Sequence, residues 1–409
     1  MRVLLVHKFF NYNGGADVFF FEVGRVLKEN GHEVAYFSTN NERNKTSEWA
    51  RYFVDAPNFK SSSPVKKLKA ITEIPYNLRI KKAFIKLIDS FKPDLVHCFN
   101  IMTQISPSII VAAHERNIPV VISLNDYKHI CPNYKLYHHG HLCEDCKGGK
   151  FYKCFTNKCA HNSMTFSLAS SLESYVHLRM GIYEKYITMF TFSSDFMADK
   201  TEDFWGRKLI RVKMMNPFKF SARVTDTSRE YGLYFGRLID EKGVDILVRA
   251  LAECSPNVKF KIIGNGPDEE MLQELAKKLN IENLEFCGPK WGIELDEYLK
   301  RAKYVVVPST WHENFPYVIL QAFNFCKAVI GSDRGGIPEM LANGRGLLYE
   351  ANDPKQLTEK IMYMESHNEE AIAMGENGRK YVEDKFTDEV FYTALLRGYE
   401  KALTAEKLM

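Results

Sequence analysis

Tyr304-Val305-Val306-Val307-Pro308-Ser309-Thr310-Trp311-His312-Glu313-Asn314-Phe315-Pro316-Tyr317-Val318-Ile319-Leu320-Gln321 reads as a strand, a loop and the start of a helix. The opening run is apolar and rich in valine, which suits a strand buried on both faces. Pro316 stands where a helix should begin, since its fixed φ suits a first turn. Tyr317 to Phe325 continue as that helix. Glu313 is left on the loop between. A carboxylate beside the free amides of a helix N-terminus, at the carboxyl end of a strand, can hold a sugar and its phosphate together. The amides and the positive end of the helix dipole take the phosphate. The carboxylate accepts hydrogen bonds from sugar hydroxyls.

The same strand-then-helix rhythm extends in both directions. Strand-length apolar runs lie at 3–6, 34–37, 95–99, 120–124 and 189–192, and again at 233–235, 260–263, 284–287, 304–307, 329–330 and 347–349. Amphipathic segments at 18–28, 244–252, 269–279 and 357–364 alternate with them. This pattern predicts an α/β chain with two mainly parallel sheets. The expected domains are 1–216 and 217–387. Asn216-Pro217 and the polar residues 221–230 supply the linker. A last helix at 390–403, within a tail 388–409, is expected to pack back on the first domain. Ligands of open α/β sheets bind beyond the carboxyl ends of strands, so the expected site is a cleft between the two domains.

A chain of 409 residues is long enough for two cores, and 45% hydrophobic with 26% charged residues fits a soluble globular protein. A net charge of +4 is too mild to argue for nucleic acid. No zinc-finger, RNA-binding or helix-turn-helix signature appears either. No apolar run reaches the ~18 residues that span a bilayer. The chain opens directly on a strand, without a signal-peptide pattern, so a cytoplasmic protein is expected.

Several loops that follow strands carry anion- or sugar-binding chemistry. Gly14-Gly15 precede a helix and would let an anion approach the backbone, although paired glycines also make plain turns. Gly236-Arg237-Leu238 leads to Glu241-Lys242-Gly243. Arg237 can fork onto a phosphate and Lys242 offers a point charge; a solvated surface turn would look the same. Gly264-Asn265-Gly266-Pro267 is another tight turn opening a helix. Gly335-Gly336-Ile337-Pro338-Glu339 follows the strand at 329–330.

Taken in order with Pro308-Ser309 and Glu313-Asn314-Phe315-Pro316, these motifs make the chain resemble the family 4 glycosyltransferases. Those are retaining, nucleotide-sugar-dependent enzymes of the GT-B fold, in which two Rossmann-like domains face a cleft. The resemblance spans nearly the whole chain and is strongest from Tyr231 to Tyr349. It implies that Arg237 and Lys242 neutralise the donor diphosphate without a catalytic metal, consistent with the absence of an Asp-x-Asp motif. It implies that Glu313 holds a donor-sugar hydroxyl, and that the backbone around Asn314, Phe315 and Pro316 meets sugar and phosphate. Gly14, Gly15, Gly236, Gly264, Gly266, Gly335 and Gly336 would line the donor site. The donor would be UDP- or GDP-linked, and the acceptor a glycan or a polyprenyl-diphosphate-linked glycan of cell-surface polysaccharide synthesis.

Two positions depart from the family pattern. The family's acidic pair is a glutamate at each end; here the second is Gln321, where the ribose hydroxyls would bind. An amide oxygen still accepts a hydrogen bond but loses the charge-assisted part. Where the family often has His-Asp after the strand at 120–124, this chain has Asn125-Asp126. Asn125 can bond a sugar but cannot relay a proton. Asp126 is the nearby ionisable group.

Five of the nine cysteines, Cys131, Cys143, Cys146, Cys154 and Cys159, fall in an insertion at 129–161. Cys143 and Cys146 form a C-x₂-C knuckle, and four thiolates could close a structural zinc site or hold an Fe–S cluster. Buried free thiols are the alternative. The insertion follows Asp126 and is expected to shape the acceptor side.

Residues 60–92 carry nine basic side chains, Lys60, Lys66, Lys67, Lys69, Arg79, Lys81, Lys82, Lys86 and Lys92, interleaved with apolar ones. Such a region could rest on the anionic inner face of the plasma membrane, or be a solvated helix face. Two other functions remain open at this point. One is a nucleotide-sugar 2-epimerase of the same fold. The other is a degenerate homologue that binds sugar nucleotide or an assembly partner without turnover.

Overall fold

The computed structural model describes residues 1–12, 14–57, 72–215, 217–222 and 229–406. The lysines at 60, 66, 67 and 69, and Asn216 of the expected linker, lie outside the described residues.

By internal contacts the chain divides into two units. The first comprises Met1–Leu136, Cys143–Pro217 and Asp388–Met409, the second Tyr137–Leu142 and Phe218–Thr387. The Cys-rich insertion is therefore split: its middle, Tyr137–Leu142, groups with the second unit and not, as expected, with the first. Those residues form a short antiparallel hairpin, β5 (Tyr137–His138) and β6 (His141–Leu142).

The first unit holds a six-stranded parallel sheet. Its strands are β1 (Arg2–Val6), β2 (Glu33–Phe37), β3 (Leu95–Cys98), β4 (Val120–Leu124), β7 (Met189–Phe192) and β8 (Arg211–Lys213). They are ordered β2-β1-β3-β4-β7-β8. Apart from Arg2 and Ser123, β1 and β4 consist of Val, Leu and Ile covered on both faces, as parallel strands require. β8 was not legible as a strand. It is short and polar, and forms because Phe190 pairs with Arg211 at the sheet edge. Edge strands commonly carry charge, and here Arg211 reaches Asp199 at 2.8 Å and Lys213 reaches Asp195 at 2.7 Å.

The second unit repeats the design. Its strands are β9 (Tyr231–Phe235), β10 (Phe260–Ile263), β11 (Leu284–Phe286), β12 (Ala302–Val307), β13 (Ala328–Ser332) and β14 (Gly346–Tyr349). Their order is β11-β10-β9-β12-β13-β14, again parallel. The winding direction reverses between β1 and β3 in one sheet and between β9 and β12 in the other. Loops at such reversals splay apart and leave a crevice for ligand.

The helix Asp388–Glu406 packs on the first unit. It buries Phe391, Leu395, Tyr399 and Ala402 against Val3, Leu5, Val121 and Met189. Each large side chain there contributes roughly 1.5–3 kcal/mol through burial. Tyr399 Oη also meets His97 Nδ1 at 2.9 Å inside the core. Among the described residues no helix is long and apolar enough to cross a membrane.

Candidate functional site

In the second unit the loops after β9 and β12 meet at the reversal point, where the winding makes them neighbours. Gly243, with φ of 63°, lies so close to the β12 loop that a Cβ on it would sit 2.2 Å from the Pro308 carbonyl oxygen. The Thr310 N–H donates to the Glu241 carbonyl at 3.0 Å. This contact carries Lys242 onto Glu313, and Lys242 Nζ donates to Glu313 Oε1 at 2.6 Å. Ser309 Oγ donates to the same oxygen at 2.7 Å.

Glu313 is buried. Burial pushes its carboxyl up, but the Lys242 charge and the hydrogen bonds from Lys242 and Ser309 outweigh that and hold it below the ordinary value of 4.5. The Trp311 indole N–H adds attraction without reaching hydrogen-bond geometry. Among the described residues no hydrogen bond reaches Glu313 Oε2, so that oxygen remains able to accept a hydroxyl. The carboxylate is fixed from behind as well. The Gly336 N–H donates to the Glu313 carbonyl at 2.7 Å. Gly335, with φ of 61°, packs so that a Cβ would lie 1.9 Å from that carbonyl oxygen. Gly335 and Gly336 thus act on Glu313.

Arg237 is exposed and has no ion pair or side-chain hydrogen bond among the described residues. Its backbone is held by Tyr234 Oη, which donates to the Arg237 carbonyl at 2.8 Å. Gly264 and Gly266 pack against this loop. A Cβ on either would meet the Gly236 or Leu238 carbonyl oxygen at 1.8 or 2.0 Å, so both support the turn that presents Arg237.

The helix Tyr317–Asn324 begins after Pro316, as its sequence predicts. Asn314 and Phe315 occupy the loop before it. Arg379 anchors its far end, donating to the Asn324 carbonyl at 2.7 Å and the Ser221 carbonyl at 2.7 Å. Cations favour the C-terminal end of a helix. Gln321 lies half-buried on this helix, with no side-chain hydrogen bond among the described residues. No motif marked the roles of Ser309, Tyr234 or Arg379. Nor did one mark Tyr137, whose hydroxyl accepts a hydrogen bond from Thr310 Oγ1 at 3.1 Å within this unit.

In the first unit the reversal lies between β1 and β3. Gly14 caps the helix Gly15–Glu29, and its N–H donates to Asp17 Oδ2 at 2.9 Å. A Cβ on Gly14 would meet nothing within 4 Å, so space is open there. His7 sits 3.4 Å from Asp17, and burial lowers its pKa to about 4, so the ring is neutral. Lys8 follows β1. Burial lowers its pKa, opposed by the charges of Asp126 and Asp17. It makes no ion pair or side-chain hydrogen bond among the described residues. No motif marked Lys8, because a single lysine after a strand has no pattern to read.

Asn125 and Asp126 follow β4, close to Lys8. Asp126 Oδ1 accepts the Lys128 N–H at 3.0 Å. Burial pushes the Asp126 carboxyl above its ordinary value, against that hydrogen bond and the charges of Lys8 and Lys128. Lys128 is itself paired with buried Glu173 at 2.8 Å. Lys8 and Asp126 thus act on each other through charge, without an ion pair among the described residues. The five insertion cysteines are all free thiols and lie in this unit, with Cys131, Cys146 and Cys154 buried.

Comparison with known proteins agrees with this anatomy. The family described as Glycosyl transferases group 1 matches residues 216–381, and Glycosyltransferase Family 4 matches residues 13–145. An uncharacterized 42.6 kDa protein of a Klebsiella pneumoniae cps region is 26% identical over 83% of this chain and 87% of its own. An uncharacterized glycosyltransferase of Methanocaldococcus jannaschii is 33% identical over 42% of this chain, and the match spans 48% of that relative's length. Sucrose-phosphate synthase from Thermosynechococcus elongatus superposes with a TM-score of 0.70 at 17% identity, covering 99% of both chains. Anabaena HepE in complex with UDP and glucose superposes with a TM-score of 0.65 at 15% identity, over 98% of this chain and 99% of its own. With two family matches in the expected order, and a fold of two six-stranded parallel sheets shared with solved GT-B enzymes, the chain belongs to the family 4 glycosyltransferases.

Proposed function

We propose that the protein transfers a sugar, with retention, from a nucleoside diphosphate sugar to a hydroxyl of a glycan or lipid-linked glycan. The observation that carries this is the Lys242–Glu313–Ser309 cluster at the reversal point of the second sheet, with Arg237, which makes no ion pair among the described residues, on the same loop after β9 as Lys242. Arg237 and Lys242 are the cations that meet the diphosphate. Glu313 Oε2 accepts a donor-sugar hydroxyl while Oε1 stays with Lys242, so one contact fixes sugar and phosphate in relative position.

In the reaction the bond from the anomeric carbon to phosphate breaks, and a bond from that carbon to the acceptor oxygen forms. The acceptor proton passes to a phosphate oxygen on the leaving face, which retains configuration. The developing charge on the diphosphate is met by fixed cations and the helix N-terminus at 317, which is electrostatic catalysis. No metal is needed for this step. UDP is the first nucleotide to test, because HepE binds UDP and glucose in the same fold. The Klebsiella relative lies in a cps region, which supports a polysaccharide acceptor.

A membrane-borne acceptor has its own support in the helix Met164–Met180. Its Ser167, Ser171, Ser174 and His177 face inward, and its Phe166, Leu168, Leu172, Tyr175 and Leu178 are exposed. Gly149 lies against Leu178, and the Tyr152 N–H donates to Tyr175 Oη at 3.1 Å, which brings Lys150 and Lys153 alongside. Neither lysine is ion-paired among the described residues. An apolar face rimmed by lysines suits an anionic membrane surface. The protein should float with vesicles containing anionic lipid, and Leu172→Asp should abolish this; flotation unchanged by that substitution removes the membrane part.

The test of the reaction is a panel of radiolabelled sugar nucleotides with lipid extract as acceptor. One donor should transfer label and release its nucleoside diphosphate. Donor binding without turnover of any donor would favour the non-catalytic homologue, to which Asn125 and Gln321 point. Interconversion of free donors would favour the epimerase.

A further inference from the structure

Trp311 touches both members of the Lys242–Glu313 pair. Lys242 Nζ lies over its indole face, 5.4 Å from the ring centroid. Its carbonyl accepts the Glu313 N–H at 3.1 Å. The Thr310 N–H just before it is tied to the Glu241 carbonyl at 3.0 Å, and Ser309 and Lys242 both donate to Glu313 Oε1. All of these residues belong to the second unit.

One polar group in this closely bonded cluster is left over. Trp311 Nε1 is closed off from solvent and donates to no acceptor among the described residues. The indole nitrogen can only donate. Buried indole N–H groups usually find a partner, and an orphaned one costs stability and calls for a reason. The nearest use for it is the Glu313 carboxylate, which the N–H attracts without reaching hydrogen-bond geometry. The proposed reaction supplies the occasion to close that gap. Glu313 is buried, and the Lys242 charge keeps it ionised. A donor diphosphate that meets Lys242 shares this charge between two anions. A buried carboxylate that loses part of its counter-charge is destabilised unless another donor steps in.

We propose that Trp311 is a positioning residue for the transfer: as the donor diphosphate engages Lys242, the Trp311 indole N–H closes a hydrogen bond onto the Glu313 carboxylate and holds it for the sugar. The free protein leaves this bond open and the bound protein makes it. Lys242 stays over the indole face, where an aromatic ring attracts an ammonium. Glu313 Oε2 stays available to a sugar hydroxyl. The inference rests on the proposed function and adds a residue to that donor site.

The chain has four tryptophans, Trp49, Trp205, Trp291 and Trp311, so the ¹⁵N-labelled full-length protein gives four indole N–H signals. Trp311→Phe identifies the Trp311 signal. If that variant fails to fold, Trp49→Phe, Trp205→Phe and Trp291→Phe identify it by elimination. The wild type is then titrated with the diphosphates of uridine, guanosine, adenosine, cytidine and thymidine. With a diphosphate that binds, the Trp311 indole proton should move to lower field, as a new bond to a carboxylate requires. Trp311→Phe keeps a ring beneath Lys242, so the free variant should melt close to wild type. Calorimetry should show it binding the same diphosphate on the order of ten-fold more weakly, the scale of one hydrogen bond to a charged group. A merely structural tryptophan would do the reverse, lowering the melting temperature and leaving Kd alone. A Trp311 signal unmoved by a diphosphate that binds, or a variant that binds as tightly as wild type, would overturn the proposal. Failure of wild type to bind any of the five would overturn it together with the proposed function.

Discussion

Lys242 and Glu313, 71 residues apart in sequence, are joined Nζ to Oε1 at 2.6 Å. The pair links a cation for phosphate to an acceptor for sugar, so removing either member should disturb both binding functions. Lys242→Ala strips the counter-charge from a buried carboxylate and should destabilise by up to ~3 kcal/mol, since Ser309 still donates to it. Lys242→Ala with Glu313→Gln should recover much of that stability but not activity. Thermal unfolding of wild type, Lys242→Ala, Glu313→Gln and the double variant measures the coupling, and additive losses would refute it. The pair also sets a pH response. The folded-state pKa of Glu313 lies below 4.5. Its contribution is therefore full above the ordinary glutamate value and is lost as pH falls through the lower folded value. In Glu313→Gln that part of the acid dependence should vanish.

Gly335→Ala should inactivate while the chain still folds. The new Cβ would overlap the Glu313 carbonyl oxygen at 1.9 Å, on a backbone with φ of 61°. Displacing a positioned group by ~1 Å can cost on the order of 10²-fold in rate. Turnover within about two-fold of wild type would show that Glu313 needs no such clamp.

Gln321→Glu should tighten donor binding. Restoring the charge-assisted hydrogen bond to ribose is worth ~1 kcal/mol, about five-fold in Kd. The rate constant for transfer should hardly move. Calorimetric titration with the nucleoside diphosphate reads this directly, and an unchanged or weaker Kd would remove Gln321 from the ribose site.

Asp126→Asn should raise the melting temperature at neutral pH and lower turnover. Burial raises the Asp126 carboxyl, so the folded state holds its proton more tightly than the unfolded chain does. The ionised group therefore costs stability as pH rises through the folded-state value, and the amide removes that cost. Lys8→Met should lower turnover too, since the Lys8 charge acts on Asp126. A melting temperature unchanged by Asp126→Asn would show that burial does not strain this carboxyl.

Much of the fold was legible because buried parallel strands are written as short unbroken apolar runs, as at Val305-Val306-Val307. β8 was not, because Arg211-Val212-Lys213 is held by its partner strand and not by its own composition. Glu313 was legible from its place between strand and helix. Its bond to Lys242 was not, because it depends on β9 and β12 being neighbours, which no local pattern states. The helix Met164–Met180 shows a further limit. It was not read from the sequence, because its buried side chains are Ser167, Ser171, Glu173, Ser174 and His177 and so no apolar stripe marks its inner face.

The central claim is that Glu313, joined to Lys242, holds the donor sugar for transfer. Its most direct test is the initial rate of label transfer from the active donor, measured for wild type and a folded Glu313→Gln. The account predicts transfer by wild type and a loss on the order of 10²-fold or more in the variant, the scale of removing a group that stabilises the transition state. Equal rates in the two proteins, or no transfer from any sugar nucleotide by wild type, would contradict it.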